Sequence, residues 1–113
     1  MHELSLAGGI LQVVEDAAAR EAFARVLQLR LEVGKLAGVE LQALRFALEA
    51  IAPGTLLAGA EVLTDEPPGR AWCMGCSTAV EIGQRGDACP ACGGHWLTPQ
   101  GGDELSVVDM QVA

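Results

Sequence analysis

Four cysteines in two pairs, Cys73-Met74-Gly75-Cys76 and Cys89-Pro90-Ala91-Cys92, carry the clearest chemistry in this sequence. A Cys-x-x-Cys turn brings two thiolates onto one ion, and two such turns twelve residues apart complete the tetrahedral sulfur set that zinc prefers. Gly75 and Gly93-Gly94 leave the backbone free to turn around the sulfurs. Two disulfides would call for an oxidising compartment, and no secretory leader is apparent. A redox pair would call for one Cys-x-x-Cys at the end of a strand in a βαβ unit. An iron–sulfur cluster uses the same ligands and stays open on the residues alone. A closed four-sulfur site has no vacant position for substrate, so the reading is structural zinc at Cys73, Cys76, Cys89 and Cys92. His95, just past the second pair, is a bystander to a full ligand set.

The chain start offers a second, less specific constellation, Met1-His2-Glu3. A histidine in position two sets the terminal amine, its own backbone amide and its imidazole close together, and the Glu3 amide supplies a fourth nitrogen. Ni(II) favours such square-planar or tetragonal sets. A solvated histidine in a loose chain end fits the same residues, and they do not by themselves choose.

These groups must be positioned by the rest of a 113-residue chain that is half hydrophobic but poor in aromatics, so its core is built from Leu, Val, Ala and Ile. Ala7, Ile10, Leu11, Val14, Ala17 and Ala18 predict a helix over 4–19, with Gly8 and Gly9 weakening its early part. Leu27, Leu29, Leu31 and Val33 alternate with polar residues and predict a strand over 24–34 with one buried face. Leu41, Leu44, Leu48 and Ile51 mark a second helix over 39–52, closed by Pro53-Gly54. Its polar face (Glu40, Gln42, Arg45 and Glu49) reads either as solvated or as a docking surface. Strands follow at 59–66 and 104–112, the latter with Val108, Met110 and Val112 on one face.

Pro67-Pro68-Gly69 and Gly101-Gly102 bracket a stretch too poor in apolar residues to fold without a staple. The expected class is α+β: two helices packed on a three-stranded sheet, with an inserted zinc-ribbon-like module. The expected division is an α/β domain from 1–66 plus 103–113 and a zinc-binding module at 67–102. Strands 59–66 and 104–112 are expected as sheet neighbours, because an insertion is best tolerated where its ends meet.

Seven basic against fifteen acidic residues give a net charge of −8. That balance disfavours nucleic acid and anionic membranes as partners. No apolar run approaches the roughly 20 residues of a membrane span, so a cytoplasmic protein is expected. A zinc hydrolase would need an open metal position and a base, and the two histidines lie far apart in sequence.

Taken in order, several segments resemble the HypA/HybF hydrogenase nickel-incorporation proteins over nearly the whole chain. They are Met1-His2-Glu3, Leu31-Glu32-Val33-Gly34, Gly38-Val39-Glu40, Leu44-Arg45-Phe46-Ala47 and Pro53-Gly54-Thr55, then Cys73-x-x-Cys76, Gly86-Asp87-Ala88-Cys89-Pro90-x-Cys92-Gly93-Gly94 and Gly102-Asp103-Glu104-Leu105. Val33 stands where the family more often has isoleucine. The resemblance implies a metallochaperone rather than an enzyme. It implies Ni(II) at Met1, His2 and Glu3, Zn(II) at the four cysteines, and delivery to the large subunit of [NiFe]-hydrogenase with an accessory maturation GTPase. Urease accessory proteins and a second copy of the chain in a homodimer are further candidate partners.

Overall fold

The computed structural model describes residues 2–113, in the order α1 His2–Glu21, β1 Val26–Val33, α2 Leu41–Ile51, β2 Glu61–Asp65, β3 Gly69–Cys73, β4 Thr78–Ile82, β5 Leu97–Gly101 and β6 Leu105–Val112. The strands form two three-stranded sheets, β2-β1-β6 and β4-β3-β5. The class is α+β. Among the described residues, no helix is long and apolar enough to cross a membrane.

The chain divides into two compact units. The first contains residues up to Leu31, Val39–Thr64 and Val107–Ala113. α1 begins at His2 and runs unbroken through Gly8 and Gly9, earlier than the sequence pattern marks. Both glycines face open space, while Ala7, Ile10, Val14 and Ala17 are buried, so burial of one face outweighs the local glycine cost. The helix stops at Ala22, whose φ of 58° is left-handed. α2 packs against α1 and buries Leu44, Ala47 and Leu48. Together with Val26, Leu29, Leu31 and Leu57 these residues make an aliphatic core.

The α2 polar face is partly committed inside the chain. Glu40 is the N-cap, its carboxylate accepting from the Gln42 and Ala43 N–H groups. The Arg45 guanidinium donates twice to the Val62 carbonyl of β2, each time at 3.0 Å. Of the expected docking face, Glu40, Gln42 and Glu49 are exposed and Arg45 is half-buried.

The expected strand faces shift. Val26 is buried and Leu27 is exposed, because the Val26 N–H pairs with the Leu56 carbonyl at 2.9 Å and the turn after α2 closes on the strand start. In β6 the half-buried residues are Leu105, Val107 and Met110, while Val108 and Val112 are exposed. An edge strand has a neighbour on one side only, so strict alternation is not enforced there.

The second unit contains Glu32–Gly38 and Asp65–Ser106. β3 pairs antiparallel with both β4 and β5, setting Cys73 opposite Thr78 and Leu97. Leu36, Ala71 and Ile82 form its small core, flanked by Val80 and Leu97. β2 and β6 are not sheet neighbours, contrary to the expectation above, because β1 lies between them. The ends of the insertion still meet, around the β1 exit. The Gly34 N–H donates to the Glu104 carbonyl, Lys35 to Pro67 and Leu36 to Gly102, at 2.8, 3.0 and 2.8 Å.

That crossing leaves no room for side chains. A Cβ on Gly34 would overlap the Gly102 carbonyl, and Gly102 itself has a φ of +81° and lies against the Pro68 carbonyl. Gly34→Ala is therefore expected to destabilise by ~3 kcal/mol, since backbone cannot yield as a side chain tip does. Gly8→Ala in open space is expected to stabilise by ~0.5–1 kcal/mol. Urea unfolding of the two variants beside the wild type checks both signs.

Candidate metal centre and N-terminal site

Each cysteine pair sits on a turn stitched by its own backbone. Cys73 ends β3. The Cys76 N–H points at the Cys73 sulfur at 3.3 Å, and the Ser77 N–H, in a left-handed residue, closes the turn on the Cys73 carbonyl at 2.8 Å. In the second turn the Gly93 N–H donates to the Cys89 carbonyl at 2.8 Å, and the Cys89 N–H donates to the Gly94 carbonyl at 2.7 Å. The Gly94 N–H lies 3.4 Å from the Cys92 sulfur.

The two turns face each other. Cys73 and Cys92 sulfurs are 3.7 Å apart, Cys76 and Cys89 sulfurs 4.0 Å, and all four lie within 4.8 Å of one another. Four sulfurs each ~2.3 Å from a single ion would be ~3.8 Å apart, so the cluster has the size of a one-ion tetrahedron. The sulfurs of a four-iron cluster would be spread farther, on the order of 6 Å. Cys73 and Cys89 are buried and Cys92 is exposed.

Mutual repulsion makes this grouping unfavourable for free thiolates. The Cys76 thiol is pushed up to about 12 by contact with the Cys92 sulfur first and Cys73 next. Cys89 is drawn down to about 7, chiefly by the Cys92 backbone N–H. One divalent cation removes the conflict, because it is the common counter-charge for all four. His95 is not part of this cluster; its carbonyl accepts from Leu97 at 2.9 Å.

At the other candidate site, Met1 lies outside the described residues. His2 and Glu3 form the first turn of α1. The His2 side chain is 62% exposed, whereas that of Glu3 is 17% exposed and turned inward. Glu3 Oε2 accepts from the Glu40 backbone N–H at 3.2 Å and lies 3.8 Å from His2 Nδ1. This use of Glu40 was not legible in the sequence. Glutamate is not a favoured N-cap, and the contact spans 37 positions.

A family model described as hydrogenase/urease nickel incorporation, metallochaperone, hypA, matches residues 1–112. The chain belongs to the HypA family of metallochaperones. Within that family it is 66% identical to the hydrogenase maturation factor HypA of Polaromonas naphthalenivorans, over all of this chain and 98% of that one. It is 63% identical to the HypA of Cupriavidus necator, over 99% of this chain and 94% of that one. The fold is also that of the HypA family. The solution structure of the Ni metallochaperone HypA from Helicobacter pylori superposes with a TM-score of 0.69 over 97% of this chain and 96% of that chain, at 14% identity.

The Glu40 N–H holds the Glu3 carboxyl below its ordinary value of 4.5. A folded value below the unfolded one adds stability above the unfolded value, and that stability is lost as pH falls through the folded value. Glu3→Gln is expected to lower the melting temperature near neutral pH and to flatten its decline below about pH 4.5. Melting curves of both proteins between about pH 3 and about pH 7 test this.

Proposed function

We propose that this chain binds Ni(II) at Met1, His2 and Glu3 and delivers it to the large subunit of [NiFe]-hydrogenase during maturation, while zinc at Cys73, Cys76, Cys89 and Cys92 is structural. Membership in a nickel-incorporation family supports the cargo. The observation that carries the site is the helix start. α1 begins at His2, and the first N–H groups of a helix have no carbonyl one turn back. The His2 and Glu3 amides can therefore exchange their protons for nickel without breaking a helical hydrogen bond. The exposed imidazole stands beside them. Urease accessory proteins and an accessory GTPase are proposed partners, and a reducing cytoplasm would keep the four cysteines as thiolates for metal.

The two sites suit different tasks. A closed sulfur tetrahedron holds an ion that has no coordination position left to give away. A chelate of amine, amides and imidazole on a chain end is open to an acceptor that replaces ligands one by one. Protons compete with nickel for the amine and imidazole nitrogens, so affinity falls as pH drops.

Nickel titration of untagged, zinc-loaded protein is expected to give one nickel per chain with a nitrogen-rich, square-planar absorption spectrum, lost in His2→Ala and weakened at mildly acidic pH. Binding that survives in His2→Ala would move the site elsewhere. Zinc removal has a separate readout, because Trp72 and Trp96 are the only tryptophans and both lie in the second unit. A strong chelator is expected to shift the tryptophan emission to the red while most helical circular dichroism persists. An unchanged emission in metal-free protein would refute a structural zinc.

A further inference from the structure

We propose that the outer face of the second unit's sheet is a docking surface for an extended basic segment of a partner protein, with a lysine or arginine followed by apolar side chains at alternate positions. The inference does not rest on the nickel site, and all its residues belong to one compact unit. β3 alternates strictly: Gly69, Ala71 and Cys73 are buried, whereas Arg70 and Trp72 are exposed. Ala71 belongs to the small core, so Arg70 and Trp72 stand on the opposite face of the sheet. The β3–β5 pairing runs one step past the strands, where the Met74 N–H donates to the Trp96 carbonyl at 2.9 Å. Met74 is 43% exposed and Trp96 is 69% exposed. Both tryptophans of a chain with no tyrosine and two phenylalanines thus stand uncovered at the zinc end of one sheet. Tryptophan and methionine are the residue types that anchor interfaces.

The other end of this face decides the chemistry of the partner. A cleft of ≈ 420 Å³ lies there, lined among others by Glu32, Glu81, Glu104 and Arg70. Arg70 stands opposite Glu81 across β3 and β4, and Trp72 follows two positions on, so the cleft adjoins the aromatic patch. Three carboxylates against one guanidinium leave the cleft negative, on a chain whose net charge is −8. That sign attracts a cationic side chain. It repels an acidic peptide, and it opposes a second copy of this chain, which would bring the same charge. Spacing follows from strand geometry. At a rise of ~3.3 Å per residue, Trp72 and Met74 lie ~7 and ~13 Å beyond Arg70. An extended partner has the same rise. With its cation in the cleft, side chains two and four positions later fall on Trp72 and on the Met74–Trp96 pair.

The probe is the labelled peptide Ser-Gly-Arg-Ser-Leu-Ser-Leu-Gly-Ser, beside a control with glutamate in place of arginine. Fluorescence anisotropy would be measured with full-length, zinc-loaded protein, and the tryptophan emission with the unlabelled peptides. The arginine peptide is expected to bind with a Kd on the order of 100 μM and to shift the emission to the blue. The glutamate peptide is expected to bind at least about fivefold more weakly. Trp96→Ala is expected to weaken the arginine peptide about tenfold. Glu81→Lys is expected to weaken it about fivefold and to narrow the gap between the two peptides. Phe46→Ala, at a 73% exposed aromatic of the first unit, is expected to change nothing.

No saturable binding of the arginine peptide, or equal binding of both peptides, would overturn the proposal. So would binding that is lost in Phe46→Ala and kept in Trp96→Ala. The Glu81→Lys arm decides the question even where Trp96→Ala loses its zinc or its fold, and indifference to that charge reversal also overturns it. Sedimentation that shows a dimer broken by Trp96→Ala would assign the face to a second copy and remove the basic partner.

Discussion

Four cysteine sulfurs held within 4.8 Å of one another would repel if all were ionised, and the second unit is built around them. Its apolar core is only Leu36, Ala71 and Ile82 with two flanking side chains, too little to hold three short strands. A cation among the sulfurs would turn that repulsion into attraction. The N–H groups of Cys76 and Gly94, directed at sulfur, help carry the negative charge. The strand β3 lies between β4 and β5 and ends on Cys73, so the sheet and the sulfur cluster share a residue. With an ion there, folding of this unit and occupancy of its sulfurs would be coupled.

The β1 exit shows a different economy. Gly34, Lys35 and Leu36 give their N–H groups to three carbonyls on the segments that open and close the insertion. Leu36 then places its side chain in the small core, against the space a Cβ on Gly69 would fill. Backbone-to-backbone packing of this kind tolerates only glycine at Gly34 and Gly102. The insertion is thereby tied at both ends to one short segment.

The first unit serves the chain start. α1, α2 and β1 residues form an aliphatic core, α1 runs from His2 onward, and the Glu40 N–H reaches Glu3 in its first turn. The proposed metal sites differ accordingly. Sulfur ligands lie in turns closed by their own backbone bonds, whereas the proposed nickel ligands lie at a helix start whose amides are unspent. Retention favours the first arrangement and release the second.

Much of this was legible in the sequence because it depends on local spacing. The two Cys-x-x-Cys pairs name the four sulfurs that the fold clusters, and the 3.6-residue periodicity names both helices. The HypA resemblance followed from several such motifs in order. Tertiary structure decided what depends on contacts between distant residues. It put β1 between β2 and β6, where closeness of the insertion ends had suggested direct pairing. It exchanged Val26 for Leu27 in the core and exposed Val108 and Val112, because strand alternation fixes a face only where both sides are constrained. It also gave the Glu40 backbone N–H to the Glu3 carboxylate and the Arg45 guanidinium to the Val62 carbonyl. Cysteine spacing and helix periodicity are properties of neighbours along the chain, whereas the acceptor of a given N–H is set by which segments the fold brings together.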